Sequence, residues 1–150
     1  MVTSISHSEA DTVALGEQWG REAQPGWVFG LSGPLGAGKT LLVRGLARGL
    51  GAPARVHSPT FALVHEYCGG RVPLFHLDLY RIEGQEQFER AGLDAYLFSR
   101  EGVTAVEWFE HWLGAERPLA RLFTGGLLRR VAIEVRDGNT RWITYEDTCA

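Results

Sequence analysis

Lysine is almost missing from this 150-residue sequence: of its 15 basic residues, Lys39 is the single lysine and the other 14 are arginines. A compact ammonium and a flat guanidinium fork are not interchangeable, so the one position that keeps lysine is a candidate for chemistry that arginine cannot supply. Asparagine is equally scarce, with Asn139 alone, and an Asn-Lys-x-Asp guanine motif cannot be written from one asparagine and one distant lysine. That argues against a GTP-dependent switch. Cysteine is limited to Cys68 and Cys149, 81 positions apart, with no Cys-x-x-Cys or Cys/His cluster, which leaves no zinc site or disulfide framework and predicts free thiols. No apolar run approaches the roughly 20 residues of a membrane span, and residues 1–10 are polar without a stretch of signal length. The expectation is a cytoplasmic protein with no membrane association. A formal net charge of −3 gives no molecule-wide attraction for nucleic acid, though a local face of a few arginines is compatible with it. Any nucleic-acid role is therefore expected to be indirect.

What the sequence does hold is core material: 45% hydrophobic residues, with five Trp and seven Phe, suffices for one compact domain spanning residues 1–150. Ala10, Val13, Ala14 and Trp19 share a helical face after a capping Ser8, and Pro25-Gly26 ends that helix. Trp27 to Ser32 reads as a short buried strand, a glycine-rich stretch follows at 33–38, and Thr40 to Leu50 has helical spacing closed by Gly51 and Pro53. Phe61 to Tyr67 and Val72 to Leu79 form strand-like runs around Gly69-Gly70, a hairpin signal. A helical patch near Gln85–Ala91 leads to the strand-like Val103–Glu107, and Leu127–Val135 and Trp142–Tyr145 flank the turn Asp137-Gly138-Asn139. The expected fold is α/β, a P-loop NTPase-type three-layer arrangement with a mixed parallel and antiparallel central sheet.

Gly33-Pro34-Leu35-Gly36-Ala37-Gly38-Lys39-Thr40 satisfies Gly-x-x-x-x-Gly-Lys-[Ser/Thr] in full, between that strand and that helix. Composition alone would produce on the order of 0.001–0.002 such matches in a chain of this length, so the match is informative. The glycines allow the backbone N–H groups of Leu35, Gly36, Ala37 and Gly38, continuing to Leu41, to converge on phosphate oxygens. The helix N-terminus adds its positive dipole end, Lys39 bridges β and γ oxygens, and the Thr40 hydroxyl ligates Mg²⁺. ATP with Mg²⁺ is the expected ligand.

A phosphate loop needs a carboxylate on the metal side, at the end of an apolar strand. Asp78 follows Pro73-Leu74-Phe75-His76-Leu77, and Glu107 follows Val103-Thr104-Ala105-Val106. One can hold magnesium while the other orients or deprotonates the attacking water, and the residues themselves leave the assignment open. Thr60 reads either as a switch hydroxyl sensing the γ-phosphate or as part of a plain Pro59 turn. Trp108 offers a flat face for a base, against the commoner fate of a core Trp. His65 and His76 read as ordinary sheet residues.

Taken in order, the phosphate loop, Ser58-Pro59-Thr60-Phe61, His76-Leu77-Asp78-Leu79-Tyr80-Arg81 and Val106-Glu107-Trp108 resemble the TsaE family, the ATPase of the bacterial machinery that makes threonylcarbamoyladenosine on tRNA. The resemblance implies an ATP-hydrolysing subunit, slow alone, acting on a partner complex of TsaB and TsaD to support modification of adenosine 37 in tRNAs that read ANN codons. By motif position it implies Lys39 and Thr40 as phosphate and magnesium residues, Thr60 as the switch, Asp78 as catalytic and Glu107 as a magnesium ligand beside Trp108. It also places the start of the first helix, near Glu9, close to the nucleotide. Two positions depart from the family pattern: Pro34, where an acidic or amide residue is usual, and Phe109, where proline is usual. The rival enzyme class, a small-molecule kinase, would need an arginine-bearing lid from Arg81 to Arg100, and Arg81, Arg90 and Arg100 do not compose one.

Overall fold

The computed structural model describes residues 1–53, 55–59, 62–112 and 126–149. Seven strands form one sheet, β1 (Val2–Ser6), β2 (Val28–Ser32), β3 (Val64–Tyr67), β4 (Leu74–Asp78), β5 (Val103–Glu107), β6 (Leu127–Val135) and β7 (Arg141–Cys149), in the order β1-β7-β6-β2-β5-β4-β3. The centre, β6-β2-β5-β4, is parallel, and the outer pairings β3–β4, β6–β7 and β1–β7 are antiparallel. The central strands are buried on both faces and accordingly read as continuous apolar runs, as in Val28-Phe29-Gly30-Leu31.

Both faces are covered, which makes the three layers. On one side lie α1 (Glu9–Glu22) and α2 (Lys39–Leu50), packed on Phe29, Leu31, Val103, Ala105 and Val131. On the other, α3 (Gln85–Arg90), α4 (Asp94–Leu97) and a 3-10 turn at Phe109–His111 close over Val28, Phe75, Leu77, Val106 and Leu128. Helix α1 begins as its sequence directs: the Ser8 hydroxyl accepts from Asp11 N at 3.0 Å, with Glu9 and Asp11 in the first turn. Its fit to α2 is unusually close. A Cβ on Gly16 would sit 2.4 Å from the Leu42 carbonyl oxygen and one on Gly45 2.2 Å from that of Val13, so two glycines let the backbones touch.

Several elements depart from the sequence reading. The polar N-terminus forms β1, an antiparallel edge strand, so α1 is not the first element. The last strand runs nine residues instead of four, because β6 is long enough to pair along its whole length. The expected hairpin before Leu79 is present as β3–β4, and α4 was not foreseen.

Candidate functional site

Strand β2 leads straight into the 33–38 loop, and α2 starts at Lys39, its N-cap Gly38 in the left-handed region at φ 111°. A side chain there would be strained, so glycine is what lets the chain turn from strand to helix. Leu35 stands at the tip, 81% exposed. The Lys39 side chain is 4% exposed; its Nζ donates to the carbonyls of Gly33 at 2.6 Å and Pro34 at 2.9 Å and lies 4.0 Å from the centre of the Trp108 ring. The loop is thus curled around its own cation. Because the Pro34 contact uses the main-chain oxygen, the departure at that position leaves this bond intact. Burial pushes the Lys39 ammonium below the ordinary lysine range, and Glu107, Glu110 and Asp78 oppose that shift by favouring the charged form.

Strands β4 and β5 run parallel with Asp78 and Glu107 in register at their ends. The Thr40 hydroxyl lies 3.0 Å from each Glu107 oxygen and can donate to either. Glu107 also meets Nε2 of His76 at 2.5 Å, and that imidazole is wholly buried. On its other edge His76 Nδ1 is 3.5 Å from the Tyr67 hydroxyl, which itself donates to the His57 carbonyl at 3.2 Å. Asp78 accepts from the Ser58 hydroxyl and from Tyr80 N, both at 2.9 Å. The two acids therefore have distinct surroundings: Glu107 is tied to the loop's threonine, Asp78 to the segment before β3.

Trp108 follows Glu107 with φ 57°, a left-handed conformation that costs a bulky residue of order 1–3 kcal/mol. The turn aims its ring over Lys39 and alongside Tyr80, ring centres 5.0 Å apart. Phe109 holds the turn in place: its ring fills the space beside Gly30 where a Cβ would be 2.4 Å away, and it stacks on Trp112 at 5.5 Å. The departure at Phe109 thus supplies a packed anchor. Residues 35–41, both carboxylates, Ser58, Tyr80 and Trp108 line one cavity of about 480 Å³.

Comparison with known proteins settles the lineage. The family model described as "Threonylcarbamoyl adenosine biosynthesis protein TsaE" matches residues 6–141. The chain belongs to the TsaE family. Proteins named "tRNA threonylcarbamoyladenosine biosynthesis protein TsaE" resemble it in Bacillus subtilis (44% identity over 112 residues, 75% of this chain and 68% of the relative) and Nostoc sp. (47% over 102, 66% and 62%). The chain thus spans somewhat under two thirds of the Nostoc relative. The Mycobacterium leprae relative is aligned more fully, at 34% over 145 residues, 91% of this chain and 88% of that one. The crystal structure of Bacillus subtilis YdiB superposes with a TM-score of 0.74 at 30% identity, covering 96% of this chain and 83% of that one. All four motif segments of this TsaE-family chain fall inside the matched span.

The cavity brings together Leu35, Gly36, Ala37, Gly38, Lys39, Thr40, Leu41, Asp78, Glu107 and Trp108. Glu9 is not among its lining residues; it is exposed at the start of α1, and that helix meets the loop through Thr12, beside Gly38. Thr60 lies outside the described residues. Four contributors went unrecognised. Ser58 and Tyr80 seat Asp78, and His76 supports Glu107; His76 is two residues before Asp78 on the same strand face, a placement that hints at a shared site. Arg141, on β7, donates from Nε to the Ala37 carbonyl at 3.1 Å, a tether across 104 positions that no local pattern announces.

Proposed function

We propose that this TsaE-family chain binds ATP with Mg²⁺ in the 33–40 loop, hydrolyses it slowly alone, and serves threonylcarbamoyladenosine formation at adenosine 37 of tRNAs that read ANN codons by acting on a TsaB–TsaD complex in the cytoplasm. The observation that carries this reading is the Thr40–Glu107 pair beside Lys39: a hydroxyl and a carboxylate on the metal side, and a solitary cation on the phosphate side, in one cavity. The relatives' names, all of threonylcarbamoyladenosine biosynthesis, support the biological part.

The donor set fits magnesium. Thr40 and Glu107 are hard oxygen donors, few in number, and Mg²⁺ in nucleotide sites is held by one or two carboxylates with phosphates and waters completing the octahedron. The ion, when bound, supplies charge neutralisation at the phosphates. The chain's own groups do the rest: main-chain N–H groups of residues 36–40 and the α2 dipole receive the phosphates, and Lys39 moves from the loop carbonyls to phosphate oxygens. Asp78, oriented by Ser58 and Tyr80 N, is placed to position a water and take its proton. Trp108 walls the cavity on the side where a base would stack.

Slow hydrolysis follows from the charge inventory. Among the described residues lining the cavity, Lys39 is the one cation. A second positive group, such as an arginine supplied in trans, raises turnover by about 10³–10⁵ in phosphate-transferring switches. The test is phosphate release by the full chain with Mg-ATP, alone and with TsaB and TsaD. The expected result is low turnover that rises on the order of tenfold or more with both partners. Unchanged release with partners, together with phosphate transfer to a small metabolite, would make the protein a kinase instead.

A further inference from the structure

A second recess lies away from the nucleotide cavity. Arg44 and Arg48, four positions apart on α2, and Arg55, from the segment after that helix, line a cavity of about 290 Å³ with Val56. Other arginines are engaged: Arg21 with Glu17, Arg90 with Glu86, Arg129 with Asp147, Arg136 with Glu134, and Arg71 on the carbonyls of Gly20 and Ala23. Arg44, Arg48 and Arg55 have no hydrogen-bond or ion-pair partner among the described residues. Like charges four apart on a helix repel and weaken it, and the described residues lining the recess include no acid to offset them. In a chain with a net charge of −3, that is a local concentration of unspent positive charge around a concavity.

We propose that this recess is a phosphate-backbone subsite for RNA. Guanidinium forks match phosphate oxygens two at a time, and three converging on one cavity large enough for a phosphate group form an anion cradle. The lining holds neither an aromatic face nor an acid that could read a base edge, so the contact positions RNA without selecting sequence. An acidic protein fits less well: docking surfaces of that kind centre on an apolar core, and the sole apolar lining residue, Val56, is itself buried. The location matters. Residues 55–59 run from Arg55 through Val56 to Ser58, which donates to Asp78, so RNA held at the recess sits at the far end of the segment that seats the candidate catalytic carboxylate.

The experiment is fluorescence anisotropy of labelled tRNA with the full chain across a salt series, with the nucleotide loop saturated by a Mg-ATP analogue. Arg48→Gln/Arg55→Gln is expected to bind on the order of tenfold more weakly, and the slope of log K against log salt to fall by about 0.7–0.9 for each arginine removed. Arg48→Lys/Arg55→Lys should keep the slope and lose affinity, as lost forks predict. Circular dichroism melting of each variant checks that the fold is retained. Repetition in the Lys39→Ala background separates this site from the nucleotide loop: binding kept there supports the recess whatever becomes of the ATP reading, and binding lost there overturns it. Absence of tRNA binding at low salt, unchanged affinity and slope in the double variant, or arginine-dependent capture of polyglutamate or inorganic phosphate in preference to tRNA would each overturn the proposal.

Discussion

Glu107 concentrates the chemistry of the site in one side chain. It is 3% exposed, shares the Thr40 hydroxyl between its oxygens and rests on the buried His76. A buried carboxylate is tolerated only where donors compensate it, and here two do. Glu107→Gln keeps the shape and loses the charge. The expected outcome in a magnesium titration of ATP hydrolysis is a half-saturating concentration raised by about tenfold, equivalent to roughly 1.4 kcal/mol, with the melting transition retained. A titration curve identical to wild type would show that Glu107 does not hold magnesium. Legibility at this scale follows chain locality. Lys39 and Thr40 belong to one contiguous motif, and Asp78 and Glu107 each end an apolar run, so they could be picked out. His76 and Arg141 act across strand pairings whose register a single sequence does not spell out.

Among the elements, α2 matters most, because its first turn carries Lys39 and Thr40 and its body is seated on α1. Gly16 and Gly20 on α1 face Gly45 and Gly49 on α2, and the Cβ positions of the α2 pair would lie 2.2 Å from the carbonyl oxygens of Val13 and Glu17. Close approach of this kind leaves no room for repacking by rotamer change. Gly45→Val should destabilise the protein by about 1–3 kcal/mol or more in urea unfolding, through overpacking. An unshifted midpoint would show that the helices are not held by this contact. Both helices were legible from their apolar period and caps, whereas their interface was not, since glycines inside a helical pattern read as breakers. Strand β1 escaped notice for a related reason: as an edge strand it is mostly exposed, so its pattern is polar.

At the scale of the molecule, strand order makes the site. The parallel run β2-β5-β4 sets the ends of three neighbouring strands on one rim, delivering the 33–40 loop, Glu107 and Asp78 side by side. Nothing local dictates that β5 should insert between β2 and β4, which is why the sequence could name the carboxylates without ranking their roles. Central to the proposed function is a Mg-triphosphate received by the loop curled around Lys39. Calorimetric titration of the wild-type chain and Lys39→Ala with a Mg-ATP analogue tests it directly. Loss of one charge-assisted contact predicts about 1.5–3 kcal/mol, a weakening of roughly 10- to 150-fold, on a single-site wild-type isotherm. Equal affinity in the two proteins would contradict it.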